Sequence, residues 1–321
     1  MMTIVNIIAG LVLLLFGGEA MVRGAVSLGR WLGLSTLVVG ILIVGVATSM
    51  PEMVVSVEAV LFHHPEIAVG NILGSNTANI LLVLGLTALV RPMHHQPRAL
   101  FPDGLLLMAT ALVFFLLGLY GHINRFFGLL MLAGLAAYMT WEFVRTRRET
   151  RLLAALEEDI AEEASVPAWM EHPLIALVAV FIGLGLLVYG GDLFLRGASQ
   201  VADYFGVSKG VIGLTLVALG TSSPELASSL VAARHGHSDV AYGNVVGSNI
   251  INILGVGGAA AGIAGLPVPQ VMARLDAGMV LLATVLMILF FHSSKGLTRN
   301  RALLLVALYG AYMGVRSLIV G

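Results

Sequence analysis

Cysteine is absent from the 321 residues, which excludes disulfides, thiolate metal sites and cysteine nucleophiles. Charge is almost as scarce. Asp, Glu, Lys and Arg make up 11% of the chain, against roughly 25% in an average soluble domain, and hydrophobic residues reach 58%. A soluble fold is excluded on that balance. The formal net charge of −1 removes the global basicity that would point to nucleic acid. No basic segment precedes the first apolar run, MMTIVNIIAGLVLLLFGG, so that run reads as a retained first span and not a cleaved signal peptide.

A helix needs about 20 apolar residues to cross a bilayer, and ten stretches qualify: 2–28, 34–62, 66–90, 99–120, 123–144, 172–200, 207–233, 239–264, 272–291 and 302–320. The one long polar segment, Arg145 to His172, divides them five and five. It opens basic (Arg145, Arg147, Arg148, Arg151) and turns acidic (Glu157, Glu158, Asp159, Glu162, Glu163), reading as a solvated, charge-laced helix. With the N-terminus outside, 12 of the 17 basic residues fall on the cytoplasmic side. The positive-inside rule therefore predicts both termini outside and a cytoplasmic linker. The expected organisation is a first five-helix repeat at 1–144, a linker at 145–171 and a second repeat at 172–321.

The two halves are copies of one unit. GVATSMPE, ending at Glu52, recurs as ALGTSSPE, ending at Glu225, an offset of 225 − 52 = 173. In the same register GNILGSNTANIL from Gly70 meets GNVVGSNIINIL from Gly243, identical at 8 of 12 positions. Further upstream GEAMVRGA from Gly18 meets GDLFLRGA from Gly191, pairing Glu19 with Asp192 and Arg23 with Arg196. A repeat of five spans re-enters the membrane from the opposite side in its second copy. The predicted fold is thus an all-α polytopic membrane protein, ten transmembrane helices as two inverted five-helix repeats, an architecture of secondary transporters whose site lies at the midplane.

Polar residues within apolar spans mark that site. Glu52 and Glu225 lie deep in spans two and seven, where a carboxylate costs several kcal/mol unless it is neutralised. Neighbouring spans offer no midplane basic residue, so a mobile cation is the expected partner. Pro51 and Pro224 lack an N–H, which leaves the carbonyls of Ala47 and Gly220 without helical donors and able to face an ion. Thr48, Ser49, Thr221 and Ser222 add hydroxyls at the same breaks. Ser75 and Asn79, and likewise Ser248 and Asn252, are four residues apart and share a helix face. The GxxxG pairs Gly70/Gly74 and Gly243/Gly247 suit close helix approach. Oxygen-only ligation favours a hard cation, and a dry cage with two carboxylates suits Ca2+ better than the reluctantly dehydrating Mg2+. An empty pair of carboxylates would repel in low dielectric, so only a loaded carrier should turn over, which is exchange instead of leak.

TSMPE with GNILGSNTANIL, and TSSPE with GNVVGSNIINIL, resemble the two α-repeats of the Ca2+/cation antiporter superfamily, closest to prokaryotic sodium/calcium exchangers. The resemblance covers nearly the whole chain except the linker. It implies a prokaryotic inner-membrane antiporter, not an enzyme, with Ca2+ and Na+ as transported partners, no cofactor and helices 2, 3, 7 and 8 as the core. It implies Ca2+ ligation by Glu52 and Glu225. Na+ sites would use Thr48, Ser49, Ser75, Thr221, Ser222 and Ser248, with the carbonyls of Gly45 and Ala218. Spans one and six would slide across the core, and Glu19–Arg23 and Asp192–Arg196 would be structural i,i+4 pairs. Where some members carry Asp, this chain has Asn252, so Asn79 and Asn252 are both neutral. Glu58 should face away from the site, and the histidines near helix ends (His63, His64, His94, His95, His235, His237) read as interfacial polarity and not metal ligands.

Three rival functions remain open to the sequence. A Ca2+/H+ antiporter would load the same two Glu with protons. A cation channel would pass ions without a counter-ion. An intramembrane protease would need a nucleophile and base at midplane, and no such pair is evident.

Overall fold

A computed structural model describes residues 2–93, 97–156, 172–204 and 218–320. The chain is a bundle of helices: α1 (Met2–Leu32), α2 (Thr36–Thr48), α3 (Met50–Leu61), α4 (Pro65–Val90), α5 (Pro97–Leu119), α6 (Arg125–Leu156), α7 (Pro173–Tyr204), α8 (Ala218–Thr221), α9 (Ser223–Arg234), α10 (Ser238–Ala264), α11 (Met272–His292) and α12 (Arg299–Val320). Among the described residues eight helices are long and apolar enough to cross a membrane. The pair α2 and α3, bent by 41° at Ser49, makes a ninth. The first part of the expected seventh span, 207–217, lies outside the described residues, as do 157–171 of the expected linker. Helix α6 continues through the basic cluster to Leu156, so the polar segment begins as an extension of the fifth helix.

Burial sorts the helices into layers. About the centre stand α4 and α10, 78% buried over their most apolar windows, whereas the α6 window is only 22% buried. Glycine brings α1 and α7 into close apposition. Gly10, Gly17 and Gly24 recur every seven residues, and so do Gly183, Gly190 and Gly197 at the offset of 173. A Cβ on Gly183 would stand 2.6 Å from the Met21 nitrogen, and one on Gly17 would stand 2.9 Å from the Gly183 oxygen. Small residues at such an interface let backbones meet where lipid offers no hydrophobic drive.

The GxxxG expectation holds in one half only. A Cβ on Gly247 would lie 2.7 Å from the Ile41 Cα, so there the glycines do serve helix packing. Among the described residues nothing lies within 4 Å of a Cβ on Gly74, and Gly70 meets only Met272 at 3.9 Å. Both instead line a cavity of about 340 Å³ that also touches Asn71 and Ser75.

The helices are not uniformly α. Wider π turns occupy Val39–Val44, Asn79–Val83, Ile251–Val256 and Met272–Asp276. Such bulges cluster at functional sites because they re-aim side chains. Two loop staples depart from a purely helical chain: His122–Ile123 pairs with Leu266–Pro267, and Met93 bridges Leu297.

Candidate functional site

The motif Ser-x-Pro-Glu builds the break and the acid together. Ser49 (φ −80°, ψ −2°) and Ser222 (φ −87°, ψ 7°) interrupt the helical path at equivalent places. Proline follows in the first two positions of the next arm, where its missing N–H costs nothing. Glu52 and Glu225 then fall in the first turns of α3 and α9, at helix ends whose dipoles favour negative charge. Ser-x-x-Glu is also the spacing of a capping box, in which each side chain satisfies the other's backbone. Neither serine makes a side-chain cap here. The oxygens that would ordinarily close the helix end are withheld from it.

Both carboxylates are fully buried, and the charge of Glu225 acts on Glu52. Among the described residues neither Glu52 oxygen has a hydrogen-bond partner, the Thr48 hydroxyl is the side chain that reaches Glu225, and the Ser49 and Ser222 hydroxyls have no partner. This is unlike the other buried acids. Asp276 accepts from the Tyr312 hydroxyl at 2.8 Å and pairs with the Arg316 Nε at 3.0 Å. Asp103 accepts from Tyr138 at 3.0 Å. A buried ion without partners costs several kcal/mol, so the structural acids in this bundle are tied down while Glu52 and Glu225 are not.

Around the pair, side chains of the two halves cross over. Thr48 Oγ1 lies 3.2 Å from Ser248 Oγ and 3.1 Å from the Asn244 Oδ1 that accepts from it. The Gly45 carbonyl sits 3.5 Å from both the Thr48 and Ser248 hydroxyls. Asn252 donates to Ser75 Oγ at 3.0 Å, spanning from α10 to α4, and its own Oδ1 has no partner. Asn79 is fully buried with both amide atoms unpartnered. Thr48, Ser248 and Gly45 thus form one cluster that reaches Glu225, which acts in turn on Glu52, and Ser75 and Asn252 form a second pair between the central helices. Thr221 ends α8 just before Ser222. Ala218 begins that short helix.

The Gly220 carbonyl, freed by Pro224, accepts from the Ser223 hydroxyl at 2.7 Å, which occupies one of its two lone pairs. A serine one residue past the break is a nearby hydroxyl on a tight turn, so it fills part of the gap locally. The expected i,i+4 pairs do form: Arg23 with Glu19, and Arg196 with Asp192 at 2.9 Å. Glu19 also reaches His235 at 2.8 Å, which links α1 to the end of α9.

Sequence reasoning passed over the first asparagine of each GN motif. Asn71 donates to the Glu52 carbonyl at 3.2 Å and to Ser56 at 2.9 Å. At the offset of 173, Asn244 donates to the Glu225 carbonyl at 3.2 Å, to Ser228 at 3.1 Å and to Ser229 at 2.8 Å. Each fastens the arm bearing a glutamate to the adjacent central helix. The recurrence of Asn71 as Asn244 and of Ser56 as Ser229 was the available signal.

The chain is similar to several known proteins. The profile of the family described as sodium/calcium exchanger protein matches residues 2–144 and 175–318. The inner membrane protein YrbG of Escherichia coli (strain K12) is 34% identical over 253 residues, covering 77% of this chain and 76% of YrbG. The sodium/calcium exchanger MaX1 of Methanosarcina acetivorans is 26% identical over 345 residues, covering 96% and 97%. Among solved structures, the sodium-calcium exchanger NCX_Mj soaked with 10 mM Na+ and zero Ca2+ superposes with a TM-score of 0.80 at 30% identity over 98% of each chain.

Proposed function

This chain belongs to the sodium/calcium exchanger family, and we propose that it exchanges Ca2+ for Na+ by alternating access, with the ions held between the two glutamate-bearing arms and the central helices α4 and α10. It is a multi-pass membrane protein and a transporter. The reading comprises ten spans in two inverted repeats, of which 1–144 and 172–321 are the copies and 145–171 the linker. It places both termini outside a prokaryotic inner membrane. The observation that carries the site is the full burial of Glu52 and Glu225, the charge of one acting on the other, with neither paired to a basic residue among the described residues.

The chemistry follows from charge. Two ionised carboxylates in a medium of low dielectric repel one another and lack hydration. A divalent cation neutralises both, and so do two monovalent ones. Ligands for Ca2+ are Glu52 and Glu225, supplemented by Asn79 and Asn252. Na+ takes hydroxyls and carbonyls of Thr48, Ser49, Ser75, Thr221, Ser222, Ser248, Gly45 and Ala218. Crossing of the unloaded site is opposed by its own charge, so Ca2+ moves one way only when other cations return. The cavity lined by Asn71 and Ser75 adjoins the arm that carries Glu52, whose carbonyl Asn71 holds.

Protons are the alternative counter-ion, since they would neutralise the same carboxylates. Uptake of 45Ca2+ into proteoliposomes separates the two. With an outward Na+ gradient and pH clamped on both sides, accumulation of Ca2+ is expected. Accumulation that follows only a pH gradient would move the assignment to H+ coupling, and flux into vesicles that hold neither Na+ nor Ca2+, at equal pH on both sides, would make the protein a channel.

A further inference from the structure

The orphaned oxygens at the site are enough to fill the shell of one Ca2+. Ser49, Ser222, Asn79 and Asn252 contribute one each and the two glutamates contribute four, so eight are on hand before any other residue is considered. Ca2+ takes about six to eight oxygens. Beyond these stand Asn76 and Asn249, related by the offset of 173 and fully buried. Both the oxygen and the nitrogen of each amide lack any partner.

A buried amide with neither end satisfied costs about 1–3 kcal/mol per group relative to an apolar residue of the same shape. The bundle carries that cost twice, at matching places in its two halves. Position on the helix relates these amides to the site. Asn76 precedes Asn79 by three residues and Asn249 precedes Asn252 by three, a separation that puts side chains on one face of a helix and brings their tips into common reach. A partly hydrated cation meets both needs of such an amide. Its charge takes the oxygen, and its water accepts from the NH2.

We propose that Asn76 and Asn249 are ligand-side residues of the Na+-loaded state, holding Na+ and its water after the glutamates have released Ca2+. The inference rests on the exchanger reading above. Neutral amides add coordination without adding charge, which suits a monovalent ion and adds nothing to a Ca2+ already saturated by the other oxygens.

The test is Asn76→Leu and Asn249→Leu, with Asn76→Ser and Asn249→Ser as milder companions, in proteoliposomes. Two assays are run: 45Ca2+ uptake driven by Na+, and 45Ca2+/Ca2+ self-exchange without Na+. The expected result is a rise of about tenfold in the Na+ concentration for half-maximal exchange, equivalent to loss of about one hydrogen-bond-strength contact of 1.4 kcal/mol, with self-exchange within about twofold of wild type. If the amides are idle, removal of an unsatisfied buried group instead raises the melting temperature or leaves it alone and changes neither assay, which overturns the proposal. Equal loss in both assays from a protein with an unchanged melting temperature also overturns it. Should a Leu variant fail to fold, the Ser variant carries the same two-assay comparison. Wild-type protein without Na+-driven uptake would sink this proposal together with the exchanger reading, whereas normal wild-type exchange beside unchanged variants would sink this proposal alone.

Discussion

At the scale of single residues, the arrangement turns on which polar groups are tied and which are left loose. Asp276 and Asp103 have tyrosine or arginine partners, while Glu52 and Glu225 have neither among the described residues. The asparagines behind the glutamates do the opposite work, spending their amides on fixing the backbone. Asn244 makes three donor contacts and also accepts from Thr48, whereas Asn71 makes two donor contacts and borders the cavity. Asn244→Ala should therefore weaken apparent Ca2+ affinity and lower stability by about 1–3 kcal/mol through the partners it strands, with Asn71→Ala milder. Half-saturation for Ca2+ and the melting temperature, measured on both variants, check the order; the reverse ranking would contradict it. The acids were legible in the sequence because a carboxylate in an apolar run has few explanations. Their supporting asparagines were not, since an Asn on a helix gives no sign of which neighbour it will meet.

Among the elements, the breaks and the glycines matter most. Proline placed the interruption in the sequence, but not the outcome for the freed carbonyl, which depends on a Ser223 hydroxyl one turn away. The π turns beginning at Asn79 and Ile251 leave no compositional trace at all. The glycine ladder of α1 and α7 is a seven-residue period in the sequence, but a period alone does not say which helix packs against it. It makes a sharp prediction. In Gly183→Ala the new Cβ meets the Met21 nitrogen at 2.6 Å and the Gly17 oxygen at 2.7 Å, backbone atoms that cannot turn aside. Overpacking of this kind costs about 1–3 kcal/mol, so the melting temperature should fall by several degrees and exchange should slow. Gly185→Ala, two residues on, meets nothing within 4 Å among the described residues and should match wild type. Equal behaviour of the two variants in a thermal melt would contradict the close-packed pair.

Viewed whole, the molecule repeats its asparagine clamps at an offset of 173. The sequence carries that offset in all three motif blocks. It missed the difference between the halves: Gly247 is pressed against Ile41 while Gly74 faces a cavity. Identical motifs cannot reveal which copy a given conformation packs and which it leaves open. The same limitation applies to coupling, because Na+ and H+ neutralise a carboxylate pair equally well. Either ion would meet the proposed requirement that two negative charges be offset before the carrier turns over.

Removing one of those charges is the most direct test. In 45Ca2+/Ca2+ self-exchange by purified protein in liposomes, Glu52→Gln and Glu225→Gln should each lose at least about tenfold in apparent Ca2+ affinity, the worth of one charge-assisted ligand at about 1.5–3 kcal/mol. Self-exchange at wild-type affinity in either variant, from protein that reconstitutes normally, would contradict the account.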